Sequence, residues 1–364
     1  MTRIFLILSV LFVTACTQRA ELVVSTDVVG QIQEVFVSTS REGSDKLVFS
    51  DKRSATQAYA RYRIAVPPER VPGEINAPTG NKIDPQKQFL VDGVDVFPDT
   101  NAFRHGIRDA LRERAPKDRE VIIYVHGFNN NFADGVLRIT QLAHDFNISG
   151  VAVHYAWPSA GHPLAYAYDR DSALFARDGL EQLIAEVRQA GAESVVLIAH
   201  SVGSLLVMES LRSMSIAKPG SVAKEIDGVI LISPDLDIDV FRSQAARIGR
   251  LPEPFGIFVS KRDRVLSLSA RLTGTRNRLG NVDSVDQVAD LDVTVIDVTD
   301  FSSGAGHFTA GSSPGVIQIF AGAGNIEDAF SGDRAGRSGL FSGAVLTVQN
   351  ATAILLSPVT GGPL

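Results

Sequence analysis

Ser201 is the residue whose setting most clearly suggests chemistry. In Val195-Val196-Leu197-Ile198-Ala199-His200-Ser201-Val202-Gly203-Ser204, an apolar, β-branched run passes through a tight turn into a helix-like run. A serine at the tip of a strand–turn–helix matches the nucleophile elbow G-x-S-x-G, with Ala199 in place of the first glycine. To lift its Oγ clear of the strand the serine must take a strained conformation with positive φ. The positions two before and two after it then come close to neighbouring backbone, and Ala199 and Gly203 are small enough to allow this. Such a serine attacks a carbonyl only with a base, a carboxylate that orients the base, and donors for the oxyanion.

Each partner has candidates in the chain. Of the seven histidines only His307 follows the serine, in the glycine-rich loop Ser302-Ser303-Gly304-Ala305-Gly306-His307-Phe308. Carboxylates that follow apolar runs are Asp235, in Ser233-Pro234-Asp235-Leu236-Asp237, and Asp263, in Ser260-Lys261-Arg262-Asp263-Arg264; Asp297 and Asp300 are weaker candidates. Arg262 and Arg264 are expected to be solvated. An apolar run also ends in His126-Gly127-Phe128-Asn129-Asn130-Asn131. The glycine there lets an N–H turn toward the nucleophile, so the backbone N–H groups of Phe128 and Val202 are the expected oxyanion donors, with Asn129 in reserve. The same asparagines suit the start of a helix, and both roles are compatible. Trp157, Tyr166 and Tyr168 could line a rim or a short lid, although core packing is the favoured role for the only tryptophan.

The elements that must position these residues are legible as a rhythm. Apolar strand candidates recur at Val121–Val125, Val151–Tyr155, Ser194–Ile198, Gly228–Ile232, Phe255–Val259 and Val293–Val298. Helical patterns separate most of them, the clearest over Asp171–Gln189, with Ala173, Ala176, Leu180, Leu183, Ile184 and Val187 at helical spacing. This alternation predicts an α/β fold with a mostly parallel central sheet covered by helices on both faces, and ligands at the carboxyl ends of the strands. Residues 16–115, with strand-like Glu34–Thr39 and Ala60–Val66 and a helical stretch Ala102–Arg114, are expected to decorate the core at 116–330. The Gly/Ser/Ala-rich tail 331–364 carries an apolar stretch whose place stays open.

The 364 residues are 45% hydrophobic with a net charge of −6, which offers no basic footprint for nucleic acid. Residues 1–15 form a short basic start, an apolar run from Ile4 to Val13 and a small-residue end, the pattern of a cleaved signal peptide and too short to span a bilayer. Val13-Thr14-Ala15-Cys16 resembles the lipobox of bacterial lipoproteins, which implies that Cys16, the only cysteine, becomes the lipid-bearing first residue. Thr17 in place of aspartate favours, by the same resemblance, the outer membrane facing the periplasm.

Taken together these motifs resemble the α/β-hydrolases, of esterase or lipase type. More narrowly, the chain is similar to the bacterial domain-of-unknown-function 900 family. That narrower likeness covers roughly residues 30–320. It rests on Phe36-Val37-Ser38-Thr39-Ser40-Arg41, Val125-His126-Gly127-Phe128-Asn129, Trp157-Pro158-Ser159, Tyr168-Asp169-Arg170-Asp171-Ser172-Ala173, Ala199-His200-Ser201-Val202-Gly203, Asp263 and Gly306-His307-Phe308. α/β-Hydrolases run in the order serine, acid, histidine, which implies His307 as base and favours Asp263 over Asp235. The expectation is therefore a serine hydrolase of carboxylic esters acting through Ser201, Asp263 and His307 without metal or cofactor, on a small-molecule or lipid ester. Activity would fall as acid protonates the histidine. A thioesterase, acyltransferase or peptidase could use the same residues, and a non-catalytic envelope scaffold is the alternative outside enzymology.

Overall fold

The computed structural model describes residues 19–43, 48–78, 83–274, 278–321 and 343–358. Cys16 and the expected signal segment, with much of the tail, lie outside these residues. Within them, β4 (Glu120–Val125), β5 (Val151–Ala156), β6 (Ser194–His200), β7 (Gly228–Ile232), β8 (Phe255–Val259) and β9 (Thr294–Asp297) form the parallel heart of a sheet. Three N-terminal strands, β1 (Gln31–Gly43), β2 (Phe49–Val66) and β3 (Leu90–Phe97), and a C-terminal hairpin, β10 (Gly343–Val348) and β11 (Ala351–Leu356), extend it. The order is β10-β11-β9-β8-β7-β6-β4-β5-β1-β2-β3. Every neighbouring pair from β11 to β1 is parallel, and the outer pairs are antiparallel. This is the large, mostly parallel α/β sheet that the alternation of apolar runs and helical patterns predicts. The apolar tail pairs with β9, so it joins the sheet.

Period-two alternation divides the core. In β4, Val121, Ile123 and Val125 enter the packing on one face, and Ile122 and Tyr124 that on the other. The first face is covered by helices α1 (Thr100–Arg112), α4 (Arg177–Ala190), α5 (Val202–Ala217) and α6 (Ile238–Ile248), and the second by α2 (Phe132–Asp145) and α8 (Pro314–Ala321). Strands buried on both faces have no polar side to show, which is why their interiors are apolar, with the buried His154 in β5 the exception.

One helical pattern divides. The run over Asp171–Gln189 belongs to two helices, α3 (Tyr166–Phe175) and α4, separated at Ala176. Tyr155 Oη donates to the Ala176 carbonyl at 2.6 Å, and a side chain inserted at a helical carbonyl bends the ladder there. Spacing alone carries no trace of this contact.

Candidate active site

The chain leaves β4 toward β5 on one side and β6 toward β7 on the other, so a crevice opens between the carboxyl ends of β4 and β6. Val125 pairs with Ala199 in register, which sets His126-Gly127-Phe128 beside His200-Ser201-Val202. Ser201 has φ 52 and ψ −122, a region that costs a non-glycine residue about 1–3 kcal/mol. Three hydrogen bonds hold it there: Ser201 N–H donates to Ile232 O at 3.0 Å, and Ser201 O accepts the N–H groups of Ser204 at 3.0 Å and Asp235 at 3.2 Å. A Cβ on Gly203 would stand 2.4 Å from the His126 carbonyl oxygen and 2.6 Å from that of Val125, so the close approach admits glycine alone.

Ser201 is the N-cap residue of α5, and Val202 is its first helical residue. First-turn N–H groups have no intrahelical acceptor. Among the described residues, neither the Val202 N–H nor the Phe128 N–H donates to a backbone carbonyl. The reserve donor behaves differently: the Asn129 N–H is taken by Asp169 Oδ2 at 3.0 Å, so it is not available to an oxyanion. Asn129 itself is left-handed, with φ 59, which asparagine tolerates. Asn131 caps α2 in a capping box with Asp134, so the asparagine run does start a helix.

Asp263 follows β8 and is the N-cap of α7 (Arg264–Thr273). Its Oδ1 accepts the N–H groups of Val265 at 3.0 Å and Leu266 at 2.9 Å, and its Oδ2 faces His307 Nδ1 at 2.8 Å. The cap thus fixes one oxygen and aims the other. Arg262 and Arg264 are exposed on either side of the buried carboxylate. His307 is carried on the loop after β9. Arg264 N–H donates to Ala305 O at 3.1 Å, and Gly306 takes φ 70, a turn that suits glycine. An Nδ1–H given to a carboxylate leaves Nε2 with its lone pair free.

The rival acid is engaged elsewhere. Asp235, also buried, faces Arg278 Nε at 3.1 Å. It accepts from Ser269 Oγ at 2.7 and 2.8 Å and from Tyr166 Oη at 2.8 Å. Burial and the adjacent Asp235 push the Tyr166 hydroxyl up. Asp297 lies 3.5 Å from Lys261.

The aromatic residues separate by role. Trp157 is fully buried beneath the β4 loop, stacked on His126 at 4.7 Å and 10°, and its Nε1 donates to His126 O at 2.7 Å. Burial, with Arg41 and His154 nearby, pushes His126 well below the usual histidine range, so it supports the loop as a neutral ring. Tyr166 meets Phe128 edge-on at 5.3 Å. Tyr168 lies under the Arg53 guanidinium at 4.5 Å.

His200 is a residue whose part in the site the sequence does not disclose. Its ring lies 4.7 Å from that of His307, and its Nε2 is 3.3 Å from the His307 carbonyl. Burial, then the neighbouring His307 and Arg138, push it well below its ordinary value. A neutral His200 puts no second positive charge beside His307. Arg41, from β1, is also missed: it donates to Asn130 O and Ser50 O, both at 3.1 Å, and burial pulls it down to about 10. A lone arginine in a strand pattern gives no sign of where its head will dock.

The sheet, the sharp turn after β6 and the polar groups at the strand ends define an α/β-hydrolase. The family model for the alpha/beta hydrolase of unknown function (DUF900) matches residues 99–323, and the chain belongs to that family. No similarity to a curated protein was found. Among solved structures, a hyperthermophilic esterase from the archaeon Pyrobaculum calidifontis is similar at 11% identity and a TM-score of 0.36, over 80% of this chain and 85% of the other. A fungal esterase structure from Rhizomucor miehei is similar at 12% identity and a TM-score of 0.34, over 82% of this chain and 86% of the other.

Proposed function

We propose that the protein is a serine hydrolase of carboxylic esters. The observation that carries this reading is the hydrogen bond of 2.8 Å between His307 Nδ1 and Asp263 Oδ2, with the His307 ring 4.7 Å from that of His200, the residue before an elbow serine at positive φ. In the proposed reaction His307 Nε2 removes the Ser201 proton as Oγ attacks the ester carbonyl. The resulting oxyanion is held by the N–H groups of Phe128 and Val202. The imidazolium, stabilised by Asp263, gives its proton to the departing alcohol, leaving an acyl-serine. Water, deprotonated by His307, then releases the acid and restores Ser201.

A fluorophosphonate probe tests this directly. Wild type labels and hydrolyses activated esters, and Ser201→Ala does neither. Folded wild type that does not label would sink the enzyme and leave a non-catalytic envelope scaffold. Parallel assays on ester, thioester and amide substrates of graded acyl length separate esterase from lipase, thioesterase or peptidase, and an added acceptor alcohol reports acyl transfer.

Localisation is part of the proposal. Acylation of Cys16 would anchor the protein in the cell envelope, on the outer membrane facing the periplasm. Arg19, three residues on, donates to Asn129 O at 3.0 Å and to Gly161 O at 2.5 Å. Three residues of chain reach at most about 11 Å, so a lipid on Cys16 would hold the oxyanion loop close to the membrane and favour membrane-borne esters. Cys16→Ala should move the protein from the membrane to the soluble fraction; continued attachment argues against lipidation.

A further inference from the structure

Asp169, on α3, is a fully buried carboxylate for which the proposed reaction has no use. Its side chain reaches the two loops that leave β4 and β5. Oδ2 accepts the Asn129 N–H at 3.0 Å and the Ser159 hydroxyl at 2.5 Å, and Oδ1 accepts the Ala160 N–H at 2.7 Å. The Ser159 oxygen in turn accepts the Asn130 N–H at 3.2 Å. One carboxylate therefore ties down two successive amides of the β4 loop, one directly and one through a hydroxyl.

The carbonyls of that loop are also occupied. Asn130 Nδ2 donates to Phe128 O at 2.8 Å, and Arg41 donates to Asn130 O at 3.1 Å. The peptide after Phe128 is thus held at both its polar groups, and the peptide before it by its Gly127 carbonyl, 2.9 Å from His126 Nδ1 and 3.3 Å from Asn130 Nδ2, while the Phe128 N–H keeps no backbone acceptor among the described residues. The carboxylate is used because three donors converge on two oxygens, which a neutral amide cannot match.

We propose that Asp169 is a positioning residue for the oxyanion site: through the Asn129 N–H and the Ser159 hydroxyl it fixes the two peptides that follow Phe128, the anchor from which the preceding Gly127–Phe128 peptide presents the Phe128 N–H to the developing anion. The assignment rests on the serine-hydrolase reading above. It also gives buried Arg41 a purpose. A fixed negative charge near an oxyanion raises the energy of the transition state, and Arg41, attracted to Asp169 beside the same loop, supplies the opposing charge.

Asp169→Asn is the test. Whichever way the amide is turned, its NH2 faces a donor, and the Asn129 N–H or the Ala160 N–H loses its acceptor. Turnover per fluorophosphonate-titrated site should fall about 10- to 100-fold, less than the roughly 10²–10³-fold cost of losing an oxyanion donor outright, with KM changed by less than about threefold. Affinity for an arylboronic acid should fall by the same factor as kcat/KM, since both depend on the oxyanion contacts. Ser159→Ala, a smaller perturbation, should move both quantities in the same direction by less, and it serves if Asp169→Asn folds poorly. Hydrogen exchange over residues 126–131 should quicken in both variants. Wild-type turnover per titrated site together with unchanged boronate affinity, in variants confirmed to be folded, would overturn the role. So would a loss confined to KM. Wild type that never labels removes the reaction and this role together; wild type that labels beside variants that behave like it removes the role alone.

Discussion

Asp235 and Asp263 end neighbouring strands, β7 and β8, which pair in register at Ile232 and Phe258. Both carboxylates are buried, and both lie at the edge where α/β sheets keep their ligands. Their partners differ. Asp263 divides its oxygens between the start of α7 and His307. Asp235 spends both on Arg278, Ser269 and Tyr166. An arginine keeps its proton under all ordinary conditions, so the Asp235–Arg278 pair can hold structure but cannot relay a proton. A histidine can take a proton and return it. Burial and strand position therefore do not separate the two carboxylates; the titratability of what each faces does.

Substitutions can break that comparison. The largest effect is expected at Asp263. Asp263→Asn keeps the shape but no longer stabilises the imidazolium or its tautomer, and turnover of an activated ester should fall roughly 10³–10⁴-fold, as for a neutralised triad acid elsewhere. Asp235→Asn should act on stability. It leaves the Arg278 charge buried without its counter-ion, a loss of about 3 kcal/mol by urea unfolding, while turnover per folded molecule stays within about threefold. Measured side by side, the two variants decide the matter. If Asp235→Asn takes the large catalytic loss and Asp263→Asn only destabilises, the roles are exchanged.

Acid sharpens the contrast by showing where pH sensitivity of the fold resides. Burial pushes His154 down to about 3, and His126 and His200 also lie well below the ordinary histidine value. Below about pH 6.5 the unfolded chain binds protons on these residues that the folded chain does not, so stability falls as pH falls. Each contributes a loss of roughly 1.4 kcal/mol per pH unit once pH is well below that point. Urea midpoints should be lower at pH 5 than at pH 7. A midpoint that does not move would show that the three rings are not held neutral.

The parts of this protein that could be read without a fold are those governed by local physics. A serine between Ala199 and Gly203 marks a turn whose tightness excludes larger side chains, and the 2.4 Å approach at Gly203 gives the reason. Parallel strands buried on both faces must be apolar, so β4 to β9 stand out as apolar runs. Other features escaped because their causes are distant in sequence. The helix break at Ala176 comes from Tyr155 on a strand. The tail's place in the sheet depends on an open edge at β9. The part played by His200 depends on where the His307 loop lands.

The sequence by itself determined the class of fold, the elbow and the set of groups that could serve it, because steric limits, strand burial and helix caps act over a few residues. Only the tertiary structure decided how those groups are shared out. His307 and Asp263 are separated by 44 positions and meet because β9 lies beside β8. The choice between two buried aspartates, and the tie from Asp169 to the loop after β4, depend on strand order and on side chains converging from separate elements. Hydrogen bonds are short-ranged, and only packing brings such partners within reach.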